Sequence, residues 1–217
     1  MSIRAVFFDL DGTLVDSLED LTDAVNHIRE AFSHPPLTKD AVCLKVGKGA
    51  RHLVQQVLPG SSDDDINRAL GLFLEHNRLH IADKSRLYTN VRELLLELAA
   101  RDIRMAVISN KNEALCTLLL QTLGIRELLE NITGGDTYGE RKPSPLPLLN
   151  VAKKLGINPN ECVMVGDSIN DMQAGEQAGI DSIGCTWGYG SREELAGASA
   201  LVHTPLELLA AIDAGLR

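Results

Sequence analysis

Apolar positions along the chain change rhythm twice, and the changes divide it. Ala5-Val6-Phe7-Phe8 is an unbroken apolar run of the kind a short buried strand makes. From about residue 17 to 85 the spacing is helical. Leu18, Leu21, Val25, Ile28 and Phe32 recur every three or four residues and so share one face. Ser17, with Asp20 three positions on, has the form of a capping box at the start of that helix, and His34-Pro35-Pro36 ends it. Two shorter helices are predicted over 38–46 and 49–58, with Gly47 and Gly49 in the turn between them. A longer one over 62–83 carries Ile66, Leu70, Phe73, Asn77 and Ile81 along a stripe. After Tyr88, helical and strand patterns alternate to the end: "VRELLLELAARD", "IRMAVIS", "NEALCTLLLQTLG", "NITGG", "SPLPLLNVAKKLG", "CVMVGD", "INDMQAGEQAG", "IDSIGC", "ALVH" and a helix over 205–214. Such alternation predicts an α/β fold, a doubly wound, Rossmann-like parallel sheet with helices on both faces. The helical stretch interrupts it directly after the first strand. It is therefore expected to be an inserted all-α cap domain over 17–85, with a catalytic core made of 1–16 and 86–217.

A length of 217 residues suits a core with one sizeable insert. With 44% hydrophobic and 24% charged residues, the chain can bury an ordinary globular core. Its net charge of −9 argues against nucleic acid and anionic membranes as partners. It leaves a small anionic substrate open, because a metal ion or lysine can reverse the field inside one cleft. No run approaches the length of a membrane span, and "MSIRAVFF" lacks the apolar stretch and cleavage site of a secretory signal. Cys43, Cys116, Cys162 and Cys185 make no C-x-x-C pair and read as free thiols of a reducing compartment. The expectation is a cytoplasmic protein, a monomer or homodimer.

In open α/β sheets, ligands bind outside the carboxyl ends of the strands. The first strand ends in Asp9-Leu10-Asp11, the next core strand in Ser109-Asn110-Lys111, and the strand near 163–166 in Gly166-Asp167, with Asp171 further on. Lys142 stands in the loop before the helix at 145. Carboxylates, a hydroxyl and a lysine at converging strand ends can hold a divalent cation and a phosphoryl group together.

Two acids at one strand end repel each other unless a cation lies between them. "FFDLDGTLVDS" does not fit a calcium-binding EF-hand loop, because Gly12 falls too early and Asp20 stands where a glutamate is needed. A helix cap needs only one acid, and Asp16 or Ser17 already serves there. Magnesium between paired carboxylates fits better, with one acid placed to attack phosphorus and the other to handle a proton. In "VMVGDSINDMQAG", Ser168 and Asp171 have capping-box spacing, which leaves Asp167 to share a metal with Asp9. Oxygen donors without a histidine cluster suit magnesium rather than zinc. Lys142 precedes Pro143, so its backbone is expected to be extended, with Ser144 and Pro145 opening the next helix. In "VGKGAR", Lys48 and Arg51 are either cations aimed at a substrate carboxylate or exposed helix-end charges. "WGYG", residues 187–190, is either a packing turn or a substrate contact. Asp63-Asp64-Asp65 suits the first turn of a helix better than a metal.

"FFDLDGTLVDS", "VISN", "RKPSP" and "VGDSINDMQAG", in that order, resemble the four motifs of the haloacid dehalogenase-like hydrolases, and the likeness spans essentially the whole chain. The resemblance implies a magnesium-dependent phosphatase. Asp9 would be the nucleophile that forms an aspartyl-phosphate, and Asp11 the acid and base. Ser109, Asn110 and Lys142 would bind the phosphoryl group, and Asp9, Asp11 through its carbonyl, Asp167 and Asp171 would form the metal site. Within the family, "DLDGTLVDS", "VGKGARHLV" and "WGYG" are similar to bacterial phosphoglycolate phosphatases, which implies 2-phosphoglycolate as substrate. Lys48 departs from the asparagine or other residue that many relatives carry there, and Lys48 or Arg51 is the candidate contact for the substrate carboxylate. The competing expectations are a phosphosugar mutase of the same superfamily and a catalytically silent regulatory protein.

Overall fold

The computed structural model describes residues 2–215. Its centre is the first apolar run, β1 (Ala5–Phe8), in which all four residues are buried. β1 pairs in parallel with β4 (Arg104–Ile108) on one side and β6 (Cys162–Gly166) on the other. β5 (Asn131–Thr133), β7 (Asp181–Cys185) and β8 (Ala200–Val202) complete a six-stranded sheet ordered β5-β4-β1-β6-β7-β8, every pair parallel. This is the expected doubly wound α/β fold. The chain builds one half of the sheet leftward from β1 and then crosses to β6, so the switch point lies beside β1. Phe8 is level with both Val107 and Val165. That register brings Asp9, Ser109 and Asp167 out at one edge.

Side chains alternate across a strand, so β1 feeds a core on each face of the sheet. Val6 and Phe8 join one core cluster with residues of α5 (Val91–Ala100), α6 (Glu113–Thr122) and α9 (Glu207–Asp213). Ala5 and Phe7 join another with α7 (Leu146–Leu155) and α8 (Ile169–Ala178). Between β2 (Val15–Asp16) and β3 (Arg86–Leu87) lie α1 (Leu18–Ala31), α2 (Lys39–Cys43), α3 (Ala50–Val57) and α4 (Asp63–Leu79), which share a third cluster around Val25, Ile28, Val54 and Phe73.

Several local expectations are corrected. Ser17 is the N-cap residue of α1 but makes no side-chain cap. Its supposed partner Asp20 instead accepts hydrogen bonds from the backbone nitrogens of Lys84 and Ser85 and from Ser85 Oγ, at 2.6 to 3.2 Å. A buried carboxylate gains more from those converging donors than from one exposed helix end. α4 ends at Leu79, short of the expected 83, and the chain then turns into β3, which pairs antiparallel with β2. Two two-residue strands leave no periodicity to read. α7 starts at Leu146 after Pro145, with Ser144 Oγ accepting from Leu146 N. The Ser168–Asp171 capping box is formed. All four cysteines are free thiols. Among the described residues, no helix is long and apolar enough to cross a membrane.

Candidate active site

β1, β4 and β6 end level with one another, and the side chains just beyond them meet in a partly enclosed space. Lys142 is buried there between two acids. Its Nζ lies 2.6 Å from Asp171 Oδ1 and 2.9 Å from Asp9 Oδ1, the latter an ion pair without hydrogen-bond geometry. Burial opposes the lysine's charge, but Asp171 and Asp9 outweigh it and hold its pKa above the usual lysine range. The Lys142–Pro143 peptide is cis. Asp171 is fully buried and turns its other oxygen to Ser168, accepting from the backbone N at 3.1 Å and from Oγ at 2.7 Å.

Asp167 is held by three donors. Thr13 Oγ1 donates to its Oδ1 at 3.0 Å, and the backbone nitrogens of Tyr189 and Gly190 donate to Oδ2 at 2.7 and 3.4 Å. The "WGYG" loop thus wraps around Asp167. A Cβ at Gly188 or Gly190 would collide with Asp167, and one at Gly12, whose φ is +93°, would collide with the same carboxylate. Trp187 fixes the loop by donating from Nε1 to Thr13 O at 3.0 Å.

Asp9, Asp167 and Asp171 each offer an oxygen within 4.8 Å of the others. Burial, followed by the charges of Asp9 and Asp171, pushes the Asp167 carboxyl up to about 7 despite its hydrogen bonds. Burial likewise lifts Asp9 to about 6, with Lys142 opposing and Asp171 adding to the rise. One lysine does not balance three buried carboxylates, and the set fits a hard divalent cation. Its donors are all oxygen, which suits magnesium.

Asp11 faces a different environment. Its Oδ1 accepts from Ser17 Oγ at 2.5 Å and lies 3.3 Å from Lys111 Nζ. Ser17 is itself placed by Tyr189, whose hydroxyl accepts from Ser17 N at 2.7 Å. Ser109 comes directly after β4, buried at the cavity wall. Asn110 Nδ2 donates to Gly47 O and Lys142 O, both at 2.9 Å, while its buried Oδ1 has no partner among the described residues. The side chain therefore joins the 46–51 loop to the lysine mount.

Two hollows meet at Asp9 and Asp11. One, with about 50 Å³ open to water, runs under α3 and α4 and is bordered by Lys111 and Asn77. The other, about 420 Å³, passes Asp167, Tyr189 and Lys48. Lys48 is exposed on the Asp167 side. Arg51 is exposed and donates from its guanidinium to Asn67 Oδ1 at 2.7 Å, bordering neither hollow. Spacing marks Ser17 only as a helix cap and Lys111 only as part of a strand end, and it does not single out Thr13. Only the closely placed glycines of "WGYG" signal a backbone pressed against something.

A family model described as haloacid dehalogenase-like hydrolase matches residues 6–185. A phosphoglycolate phosphatase of Chromobacterium violaceum is 40% identical over 211 residues, covering 95% of each chain. One of Neisseria meningitidis is 41% identical over 193 residues, covering 87% of this chain and 82% of its own. A crystal structure from Haemophilus somnus, described as a predicted phosphoglycolate phosphatase, superposes with a TM-score of 0.93 at 29% identity, covering 97% of this chain and 98% of its own. The chain is therefore an enzyme that hydrolyses phosphoric monoesters, and it belongs to the haloacid dehalogenase-like hydrolases.

Proposed function

We propose that the protein is a magnesium-dependent phosphatase that converts 2-phosphoglycolate to glycolate and phosphate through an aspartyl-phosphate on Asp9. The observation that carries this reading is the different surroundings of Asp9 and Asp11. Asp9 sits with Lys142 and the buried acids, whereas Asp11 sits with Ser17 and Lys111. The choice of substrate rests on the phosphoglycolate phosphatases to which the chain is similar.

In this mechanism an Asp9 oxygen attacks phosphorus as the bond to the glycolate oxygen breaks, and the Asp11 carboxyl gives that oxygen its proton. Asp11, now a carboxylate, takes a proton from water as the water attacks phosphorus and frees Asp9. Ser109 and Lys142 hold the phosphoryl oxygens, and Asp171 keeps Lys142 aimed. Asp9, Asp167 and the Asp11 carbonyl would hold magnesium, which when bound offsets the charge brought together by phosphate and carboxylates. Residues 17–85 act as a cap that excludes bulk water, with Gly47 O tied to the core by Asn110 and, at 3.5 Å, by Asn170 Nδ2. Four free cysteines accord with a cytoplasmic enzyme.

The test is phosphate release from 2-phosphoglycolate with magnesium and after EDTA, in wild type and Asp9→Asn. Hydrolysis that requires magnesium and is abolished in the variant supports the reading. Undiminished turnover in either condition sinks the mechanism, and an isomerised sugar phosphate as sole product replaces it with a mutase.

A further inference from the structure

Asn77 is buried on α4, far from every motif, yet it borders the same hollow as Asp9 and Asp11. Its Oδ1 has no hydrogen-bond partner among the described residues. A buried carboxamide without a partner is costly to keep, and one bordering a cavity beside reacting side chains has the character of a ligand contact. Its surroundings sharpen this. Leu21, Leu53, Phe73, Leu74 and Leu115 make the walls apolar, and Lys111 is the cation bordering the hollow, next to Asp11.

Size adds a second constraint. At roughly 10–15 Å³ of open space per water, the hollow of about 50 Å³ suits only a short leaving group. Of the two cations expected to read a carboxylate, Lys48 borders the larger hollow that also reaches Asp9 and Asp11, and Arg51 is tied to Asn67. We propose that Asn77 is the specificity residue of the leaving group: its carboxamide hydrogen-bonds the polar end of a short substrate, with Lys111 supplying the charge when that end is a carboxylate. Rotation of the carboxamide by half a turn exchanges its donor and acceptor, so the same residue can serve a carboxylate or a donor group. This rests on the reading of the site as a phosphatase for a small monoester.

The experiment measures kcat/KM for three phosphate esters of similar length: 2-phosphoglycolate, O-phosphoethanolamine and ethyl phosphate. Wild type is compared with Asn77→Leu and Asn77→Asp, with thermal melting to verify folding. Asn77→Leu is expected to lower the preference for 2-phosphoglycolate over ethyl phosphate about tenfold or more, chiefly through KM, because the polar end loses its partner. Asn77→Asp is expected to lower it further and to raise the preference for O-phosphoethanolamine over ethyl phosphate. Ratios that stay within about twofold of wild type in both folded variants overturn the assignment. A wild type that hydrolyses the other two esters but not 2-phosphoglycolate defeats the substrate reading alone. A shifted ethanolamine-to-ethyl ratio then still upholds Asn77.

Discussion

Ser17 Oγ donates to Asp11 Oδ1 at 2.5 Å, while Tyr189 OH accepts from the backbone of the same serine at 2.7 Å. The proposed proton carrier is therefore oriented by the first residue leading into the helices, and that residue is oriented by a loop far along the chain. Ser17→Ala removes the donor without altering the chain path. The expected result is a fall in kcat of about tenfold to a hundredfold with KM little changed, since the lost contact acts on proton transfer rather than on binding. Steady-state kinetics check it. A raised KM with kcat unchanged would assign Ser17 to substrate binding instead.

Lys142 separates Asp9 from Asp171, and removing it leaves two buried acids facing each other. Lys142→Met should abolish turnover and cost about 3–5 kcal/mol of stability, the usual effect of breaking a buried pair from one side. Urea unfolding measures the loss. Adding Asp171→Asn should restore part of the stability and none of the activity, because the two residues interact directly.

The glycines of "WGYG" bear on the metal. A side chain at Gly190 has no room against the Asp167 backbone, so Gly190→Ala must displace the loop whose amides hold that carboxylate. Magnesium affinity should drop by about tenfold to a hundredfold, as for other groups that orient a metal ligand. Titration calorimetry with magnesium alone reads this directly, and unchanged affinity would remove the loop from the metal site.

A stack of imidazoles in the helical insert makes stability depend on pH. His76 of α4 lies between His27 of α1 and His80, with ring centroids 4.6 and 4.5 Å away, and its buried Nδ1 has no partner among the described residues. Burial, then the neighbouring charges of His27 and His80, pushes its pKa below 6.5, while Asp23 and Asp20 pull the other way. Glu30 and His34 border a surface hollow of the helical insert together with His27, His76 and Asp23. On acidification the unfolded chain takes up this proton before the folded one does. The stabilising contribution is therefore complete above about pH 7 and is lost as pH falls through 6.5 toward the lowered value. Melting temperature should drop between pH 7.5 and 5.5, and His76→Gln should flatten that slope. Parallel slopes in the two proteins would exclude His76 as the source.

The fold is legible in the sequence because β1 and β6 are continuous apolar runs and the later helices keep a clean period. Asp9, Asp11 and Asp167 stand out because acids directly after such runs have no structural use there. Ser17 and Asp20 mislead for an instructive reason. Their spacing satisfies a local template, but Ser17 donates to Asp11 just before the helix and Asp20 accepts from Ser85 across the fold, competitors that the capping template does not weigh. Lys111 is hidden beside Asn110 because nothing in "SNK" says which side chain turns toward Asp11 and which toward Gly47. Asn77 reads as one more position on a mostly apolar stripe. Its lack of a partner exists only once α4 is docked.

The level register of Phe8 with Val107 and Val165 has a consequence for synthesis on the ribosome. The proposed nucleophile emerges among the first residues made, but its metal partner Asp167 and the loop at 187–190 that grips it come more than 150 residues later. A nascent chain stopped before β6 carries Asp9 without Asp167 or Asp171 beside it. The acid cluster proposed to hold the cation therefore closes only once β6 has joined β1, late in synthesis.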